Sequence, residues 1–197
     1  MHYYLQWQHL DIDPSTWQNN WTTEQTEPRK LFAEHITRDC DSILNVGCGV
    51  AAGTELYKAN YHGVEVTPKF AAEAHKKGTA ITLSSALKLP FRDNSFDCVC
   101  CENLLTHLPP AAWRGVLSEM FRVSSKLAAT FEPVWKQENV YQIGETYNSK
   151  QGLLYFFNNR YDGGMFICFA SLHNRGCKVE TNLDEDYQFT YYRAEAT

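Results

Sequence analysis

The sequence of 197 residues predicts one doubly wound α/β domain whose mostly parallel sheet ends in an antiparallel edge. Strand-like and helix-like segments alternate from residue 42 onward, which is typical of a parallel sheet covered by helices on both faces. The chain then closes with two alternating segments joined by a short acidic loop, which predicts an antiparallel hairpin. The length suits a single domain with a sizeable core.

Five short apolar runs are the predicted parallel strands. A first helix is predicted over residues 53–60. Thr67 can cap the next helix, Pro68 suits its first position and Gly78 suits its end. The five strands are predicted at residues 42–47, 61–67, 80–85, within 92–103 and at 126–134.

A third helix is predicted to begin at Pro109-Pro110. Its apolar side chains recur at helical spacing and form one face, which consists of Trp113, Val116, Leu117 and Met120. Residues 135–163, in contrast, are polar and aromatic and show no sustained period. A connection of this length inside a compact domain is usually functional or mobile.

The last part of the chain is predicted to hold one helix and the hairpin. A helical stretch is expected from Gly164 to about Asn174, and Gly176 ends it. Residues 177–182 and 187–196 alternate in polarity, as the two strands of a hairpin do.

Three of the seven cysteines lie in one apolar run, FDCVCCENLL. Alternation along a strand places Cys98 and Cys100 on one face of the sheet and Cys101 on the other. No second pair completes a zinc pattern, so no metal is predicted and buried thiols are expected. Free thiols indicate a reducing compartment, and the N-terminus resembles neither a signal peptide nor a membrane span. A cytoplasmic chain without a membrane partner is therefore predicted.

The segment ILNVGCGVAAG, residues 43–53, runs from an apolar strand into a glycine turn. Gly47 and Gly49 would let the backbone approach a ligand closely, and the helix start behind them offers free N–H groups. Glu65 ends the second strand, where an acid can accept hydrogen bonds from both hydroxyls of a ribose. A ligand with a ribose and a polar tail is predicted. A nicotinamide cofactor stays an alternative, because the glycines and Ala52 also satisfy the looser dinucleotide fingerprint.

These segments resemble the class I S-adenosylmethionine-dependent methyltransferases, and most closely the small-molecule group called methyltransferase type 11. The resemblance is carried by ILNVGCGVAAG, HGVEVTPKFAAEA, LKLPFRDNSFDCVCCENLLTHLP and FEP, within residues 42–134. LPFRDNSFDCV is the most specific piece, because nicotinamide dehydrogenases do not carry it. The resemblance implies a Rossmann-like sheet of about seven strands with a C-terminal antiparallel hairpin. It also implies S-adenosylmethionine as the cofactor.

The resemblance implies which residues contact that cofactor. The glycine turn would line its methionine part, and the end of the second strand would bind its ribose. Residues after the third strand would meet the adenine, and the end of the fourth strand would lie under the sulfonium. In chain order the implied contacts are Asn45, Gly47, Cys48, Gly49, Glu65, Val66, Ser85, Ala86, Glu102, Asn103 and Leu104.

The sequence departs from the family pattern at three of its positions. The family usually has an acid where Asn45 stands and often has one where Ser85 stands. Ala51 stands where a third glycine is usual. A neutral acceptor makes a weaker hydrogen bond than a carboxylate. Glu65 is retained, which favours a working site. The alternative is a non-catalytic S-adenosylmethionine-binding or regulatory protein on the same scaffold.

Two residues are candidates for the chemistry of methyl transfer, an in-line displacement that needs an aligned nucleophile and the exclusion of water. His107 lies just past the fourth strand and has a suitable unperturbed pKa for a general base, although it could simply line a loop. Glu132 follows the fifth strand, where it could bind a cationic or hydroxyl-bearing substrate or hydrogen-bond the local backbone.

The chain is predicted to divide into four parts. Residues 1–41 would form an N-terminal helical cap, 42–134 the cofactor-binding core, 135–163 an insertion or lid, and 164–197 the last helix and hairpin. The cap and the lid would close the cleft, because water must be kept from a reacting sulfonium. Aromatic side chains predicted to line the acceptor pocket are Trp21, Trp135, Tyr141 and Tyr147.

The predicted acceptor is a small molecule and not a nucleic acid. The net charge is −5 and the sequence has no long basic run. Nucleic-acid base methylation commonly uses an Asn/Asp-Pro-Pro-aromatic turn after the fourth strand, whereas Asn103 is followed here by LLTHLPP. The sequence leaves open the acceptor atom and the oligomeric state.

Overall fold

Five parallel strands form the central sheet of the computed structural model. They are β1 Ser42–Val46, β2 Asn60–Glu65, β3 Ala80–Leu83, β4 Phe96–Glu102 and β5 Ser124–Pro133. The strands lie in the order β3-β2-β1-β4-β5, and each neighbouring pair is parallel. The predicted α/β class is therefore confirmed. The structure describes residues 13–15, 29–30, 32–34, 36–108, 110–133, 147–149, 152–158, 166–170, 177–183 and 187–194.

The strand order reverses beside β1, and this fixes the position of the site. From β1 the chain moves outward through β2 to β3, and it then returns to place β4 on the other side of β1. The connections after β1 and β4 therefore leave in opposite directions. Open α/β sheets bind ligands at such a point, outside the carboxyl ends of the strands.

Helices cover both faces of this sheet. On one face, the helix α2, Pro110–Val123, buries Trp113 and Met120 against Leu44 and Val99 of the sheet. The fully buried positions of α2 include the apolar face that the sequence predicts. Burial of this face stabilises the helix more than its intrinsic propensity does.

On the opposite face, the N-terminal helical segment, residues 29–30, 32–34 and 36–37, covers the sheet. Phe32 of this segment stacks on Phe131 of β5 with a ring-centroid distance of 5.4 Å. Cys98 and Cys100 lie in this core, whereas Cys101 lies in the core under α2. The predicted alternation of the three thiols is confirmed. No group of three metal-ligating side chains occurs among the described residues.

The helix α1, Pro68–Lys76, begins and ends at the predicted residues. Thr67 occupies the N-cap position and Pro68 follows it, but the Thr67 side chain makes no capping hydrogen bond. The Thr67 carbonyl instead accepts a hydrogen bond of 3.0 Å from the backbone N–H of Ala71. Gly78 follows the helix with φ +84°, a conformation that glycine adopts at little cost.

The predicted helix over residues 53–60 is wrong. One 3₁₀ turn, Thr54–Leu56, is all the helix that forms there, and Asn60 already belongs to β2. Tyr57 ends the turn in an extended conformation, and its hydroxyl donates to the buried carboxylate of Glu102. This tertiary contact outweighs the helical pattern of the segment.

The predictions for residues 135–174 also need correction. Three strands occur there, β6 Tyr147–Ser149, β7 Gly152–Asn158 and β8 Phe166–Ala170, in an antiparallel sheet of order β6-β7-β8. The segment expected to be irregular thus holds β6 and β7, and β8 replaces the predicted helix. Strands are favoured because GLLYFFN and FICFA are rich in aromatic residues, with Ile167 β-branched.

Two further strands, β9 Cys177–Leu183 and β10 Tyr187–Ala194, follow in the described part of the chain. Among the described helices, none combines the length and the apolar character needed to cross a bilayer.

Candidate active site

The loop after β1 has a backbone that requires glycine. Gly47 has φ +74° and Gly49 has φ +57°, both in the left-handed region that other L-residues rarely adopt. A Cβ at Gly47 would lie 2.7 Å from Cδ1 of Leu104, so any side chain at this position would require Leu104 to shift. The N–H groups of Gly47 and Cys48 donate to the Val64 carbonyl at 2.8 and 3.0 Å. The glycine loop is therefore fastened to β2.

Ala51 continues the unusual backbone of the glycine loop. Its φ is +51°, and its N–H donates to the Cys48 carbonyl at 2.9 Å. The left-handed conformation explains why glycine suits this position, and it is strained for alanine by about 1–2 kcal/mol. The shape of the loop is nevertheless maintained by hydrogen bonds from its neighbours.

Glu65 joins the glycine loop to the end of β2. Its Oε2 accepts a hydrogen bond of 2.9 Å from the Gly49 N–H. Its Oε1 accepts hydrogen bonds of 2.8 Å from the N–H groups of Val66 and Thr67. The residue is buried, and these donors satisfy its charge without a cationic side chain. Because Oε2 accepts only this one bond among the described residues, it retains capacity for a ligand hydroxyl.

A buried ion pair lies beside the glycine loop at the end of β4. Arg29 donates from Nε to Oε2 of Glu102 and from Nη2 to Oε1 at 3.2 Å. Asn45 Nδ2 donates to Oε1 at 2.8 Å, and the Tyr57 hydroxyl donates to the same oxygen. Arg29 and Glu102 are each only 7% exposed. A carboxylate so deeply buried is tolerated because it is paired and hydrogen-bonded.

The parallel register brings Asn45 and Glu102 together. Asn45 pairs with Cys100 across the β1–β4 ladder, so Glu102 lies one strand repeat further along, at the end of β4. Side chains two positions apart point to the same face of a strand. Asn45 and Glu102 therefore share the face that the N-terminal helical segment covers, from which Arg29 reaches the carboxylate.

Charges in this cluster are fixed by burial and by pairing. Burial opposes the guanidinium charge, but the neighbouring Glu102 carboxylate outweighs it, so the pKa of Arg29 is raised. Burial, together with the charge of Glu102, raises the pKa of Tyr57 well above its ordinary value. Tyr57 consequently keeps its proton and acts as a donor. The ion pair adds no net charge to the site.

The amide oxygen of Asn45 has a different status. The amide nitrogen must face Glu102, because an amide oxygen there would be repelled by the carboxylate. The amide oxygen Oδ1 therefore faces away from Glu102. Oδ1 is buried and accepts no hydrogen bond from the described residues. A buried acceptor of this kind fits a ligand that brings its own donor, as the amino group of S-adenosylmethionine would.

Residues after β3 lie near Glu65, as the adenine assignment requires. The Ser84 N–H donates to the backbone carbonyl of Glu65 at 2.9 Å. Ser85 Oγ accepts a hydrogen bond of 3.2 Å from the Leu87 N–H, so this hydroxyl already has a local partner. Ala86 is buried.

Cys48 is half-buried, and its thiol lies against β2. A Cβ at Gly63 would lie 2.5 Å from Cys48 Sγ, so the glycine in β2 makes room for it. Burial, together with the charge of Glu65, raises the pKa of the Cys48 thiol well above its ordinary value. The thiol is therefore a packing group of the loop and a poor nucleophile.

The residues beyond β4 form a tight turn. Asn103 has φ +53°, and its N–H donates to the Phe131 carbonyl at 2.8 Å. His107 ends a 3₁₀ turn, Leu105–His107, and its N–H donates to the Leu104 carbonyl at 3.0 Å. Burial lowers the pKa of His107, so its imidazole is neutral near neutral pH.

The remaining site predictions fall wholly or partly outside the described residues. Glu132 lies in β5 next to Phe131, which pairs with Glu102, but its side chain is not among those described. Tyr147 opens β6, and its side chain is likewise outside the described set. Trp21, Trp135 and Tyr141 lie outside the described residues altogether.

A family model described as a methyltransferase domain, of type 11, matches residues 44–127. This stretch contains the glycine loop, Glu65 and Glu102. The resemblance found in the sequence is confirmed: the matched part of the chain is a class I S-adenosylmethionine-dependent methyltransferase domain. The matched region is accordingly a methyltransferase domain, and the cofactor of such domains is S-adenosylmethionine. A search of curated proteins finds no match to the sequence.

Solved structures of methyltransferases share the fold. The amino pentose methyltransferase of Micromonospora echinaspora, with S-adenosylmethionine bound, aligns at a TM-score of 0.59 and 15% identity, covering 94% of this chain and 100% of its own. The magnesium protoporphyrin IX methyltransferase of Synechocystis PCC 6803 aligns at 0.58 and 12% identity, covering 96% of each chain. A protein of Pyrococcus horikoshii OT3 aligns at 0.60 and 15% identity, covering 89% of this chain and 93% of its own. At these identities the similarity concerns the fold.

Arg29 and Tyr57 belong to the site geometry, yet sequence reasoning missed both. Arg29 precedes Glu102 by 73 positions, and no local pattern announces an ion pair over that distance. One indication was available: Asn45 stands where the family has an acid, which suggests that a carboxylate from another strand supplies the charge. The structure places that carboxylate at Glu102.

Proposed function

We propose that the chain transfers the methyl group of S-adenosylmethionine to a small-molecule acceptor by in-line displacement. The observation that carries the proposal is the hydrogen bond of 2.9 Å between the Gly49 N–H and Glu65. It joins a backbone suited to close approach to a buried acid at the end of the next strand. This combination suits a ligand with a ribose next to a polar tail.

Each part of the site has a proposed role toward the cofactor. When bound, S-adenosylmethionine supplies a methyl group that is already activated by a positive sulfur. The glycine loop, with Asn45 and Cys48, would hold the methionine part, and Glu65 would accept the ribose hydroxyls. The remaining proposed contacts are Val66, Ser85 and Ala86 at the adenine and Glu102, Asn103 and Leu104 toward the sulfonium end.

The proposed general base is His107. Its lowered pKa, caused by burial, supports the role, because a neutral imidazole can accept a proton near neutral pH. Its place at the end of the turn Leu105–His107, which directly follows Leu104, also supports the role. Glu132 is proposed to bind the acceptor, since it ends the strand beside the one that carries Glu102.

The acceptor pocket is proposed to lie under a cover made by residues 1–41 and 135–163. The sheet β6-β7-β8 supports part of this idea, because an ordered module is inserted between β5 and β9. Water must be kept from a reacting sulfonium, and these two segments directly precede and follow the core 42–134 in the sequence. Trp21, Trp135, Tyr141 and Tyr147 are the proposed aromatic lining.

We also infer that the central sheet extends to seven strands and ends in the antiparallel hairpin. The register of β10 supports this inference: Phe189 pairs with Phe131 of β5, and Thr190 pairs with Thr181 of β9. Residues 164–197 would then complete the domain.

A small acceptor is supported by the similar folds, two of which are named for an amino pentose and a magnesium porphyrin. The net charge of −5 supports an acceptor other than nucleic acid. Cys48, Cys98 and Cys100 form no disulfide, which supports the reducing environment of the cytoplasm.

Calorimetry with S-adenosylhomocysteine is the first test of this function. The product cofactor should bind with one site per chain. Absence of binding at millimolar ligand would overturn the proposed function. Incubation with S-adenosylmethionine and a metabolite extract should then produce a methylated small molecule, whereas a non-catalytic binder would produce none.

A further inference from the structure

Arg29 connects three parts of the molecule that are remote in sequence. Its guanidinium pairs with the carboxylate of Glu102 at the end of β4. The same Nη2 also donates a hydrogen bond of 2.6 Å to the backbone carbonyl of Ala52, at the end of the glycine loop. Arg29 itself belongs to the N-terminal helical segment. One buried side chain thus spans the segment, the loop and the sheet.

The space for this guanidinium is provided by the loop. A Cβ at Gly53 would lie 2.9 Å from Arg29 Cζ, so a side chain at Gly53 and the observed position of Arg29 exclude each other. Gly53 also has φ +75°, which favours glycine independently. Loop and guanidinium therefore fit together in one arrangement.

Only an arginine can make this set of hydrogen bonds. Nε and Nη2 address the two oxygens of Glu102, and the second hydrogen of Nη2 is directed to Ala52. The planar fork of a guanidinium presents these donors in fixed directions, whereas an ammonium is a point charge with no such fork. A lysine at this position could keep the ion pair but not both contacts in this geometry.

We propose that Arg29 is a positioning residue of the cofactor site, which couples docking of the N-terminal helical segment to the binding-competent shape of the glycine loop. This inference rests on the proposed function. The coupling runs through Ala52 directly and through Glu102, which also orients Asn45 beside the loop. When the segment undocks, the loop loses its tether and Glu102 loses its buried counter-ion.

Coupling of this kind is reciprocal. If docking of the segment favours binding of the cofactor, then binding favours docking by the same factor. If only a tenth of the protein has the binding-competent loop shape, the ligand binds about tenfold more weakly. The proposal therefore predicts effects on both affinity and the dynamics of the segment.

The test compares Arg29→Lys with the wild-type chain, using S-adenosylhomocysteine as the probe. The lysine variant keeps the positive charge beside Glu102, and its thermal midpoint should stay close to that of the wild type. Its affinity for S-adenosylhomocysteine in calorimetry should fall by about tenfold or more. Hydrogen exchange at the amides of Val50–Thr54 should become faster in the unliganded variant.

Lys126→Met is the matched control. Lys126 pairs with Asp97 at 3.1 Å at the opposite end of the sheet, so a cation is removed from an ion pair far from the loop. Affinity and loop exchange should equal those of the wild type. A folded Arg29→Lys variant with wild-type affinity and wild-type loop exchange would overturn the inference, while the proposed function would stand.

A second measurement uses only the wild-type chain, so it tests the coupling even if the Arg29→Lys variant fails to fold. Saturation with S-adenosylhomocysteine should slow hydrogen exchange in the glycine loop and in residues 32–37 together. Slower exchange in the loop with no change in residues 32–37 would contradict the coupling. Failure of the wild-type chain to bind S-adenosylhomocysteine would be a separate result, which rejects the proposed function itself.

Discussion

Glu65 Oε2 lies 2.9 Å from the backbone nitrogen of Gly49, which makes a carboxylate at the end of β2 the acceptor for a donor in the glycine loop. The same side chain accepts hydrogen bonds from Val66 and Thr67 at the start of α1. Glu65 therefore positions the loop, in addition to the role toward the ribose that we propose for it. Its replacement should affect both tasks.

Glu65→Ala should weaken the binding of S-adenosylhomocysteine by about 1.5–3 kcal/mol, because hydrogen bonds to a charged acceptor are lost. In calorimetry this corresponds to a dissociation constant about tenfold to about 150-fold higher. Glu73→Ala provides the control, since Glu73 forms an exposed ion pair of 3.2 Å with Lys76 on the surface of α1. Equal affinities for the two variants would remove Glu65 from the proposed site.

Gly47→Ala should impair the site more than Gly78→Ala, although both glycines have left-handed backbones. The backbone strain costs about 1–2 kcal/mol in each variant. At Gly78 a Cβ meets nothing within 4 Å, whereas at Gly47 it would lie 2.7 Å from Leu104 Cδ1. Urea unfolding should show the larger loss of stability for Gly47→Ala, and only this variant should lose affinity for S-adenosylhomocysteine. A larger loss for Gly78→Ala would contradict the described packing of the loop.

The stability of the fold should decrease on mild acidification. Burial lowers the pKa of His107 and of His62 in the folded chain. The unfolded chain binds those protons at higher pH, so this stability is fully present above about pH 6.5 and is lost as the pH falls toward the folded values. The lowered pKa values of Asp97 and Glu119 contribute stability that is present above their ordinary values of about 4 to about 4.5 and is lost as the pH falls below them.

Urea unfolding between about pH 8 and about pH 5 measures this dependence, whose slope cannot exceed about 1.4 kcal/mol per pH unit for each histidine. His107→Gln should flatten the slope, because a titrating histidine is replaced by a glutamine, which does not titrate. A stability that is constant or rises on acidification over this range would contradict burial of neutral histidines.

Arg122 organises the turn that precedes β4. It donates to the backbone carbonyls of Phe91 at 2.8 Å and Leu89 at 3.0 Å, and it pairs with Glu119 at 2.7 Å. Arg122→Met should lower the free energy of unfolding by about 1–2 kcal/mol, a modest value because the side chain is partly exposed. Lys76→Met removes an exposed ion pair and should change stability by less than about 0.5 kcal/mol. Similar effects of the two changes in urea unfolding would show that Arg122 does not hold the turn.

The elements with a strong local pattern were predictable from sequence. Apolar runs located the five parallel strands, and Pro68 with Gly78 located α1. Strand alternation placed Cys98 and Cys100 opposite Cys101. The glycine loop and Glu65 were also found, because their spacing alone brings the ends of two adjacent parallel strands together.

The failures have long-range causes. Residues 53–60 have a helical pattern, but the bond from Tyr57 to Glu102 draws the chain out of a helix after one turn. The role of Arg29 could not be predicted for the same reason, because its partners lie 23 and 73 positions away in the sequence. The predicted helix after Gly164 is replaced by β8, because FICFA pairs with β7 along its whole length.

The most direct test of the proposed function follows a labelled methyl group from S-adenosylmethionine into the small-molecule and macromolecular fractions of a metabolite-containing extract. The wild-type chain should label a compound in the small-molecule fraction, with S-adenosylhomocysteine formed in equal amount, and Glu65→Ala should label far less. Label confined to protein or nucleic acid, or no label beyond the rate without the protein, would contradict methyl transfer to a small acceptor.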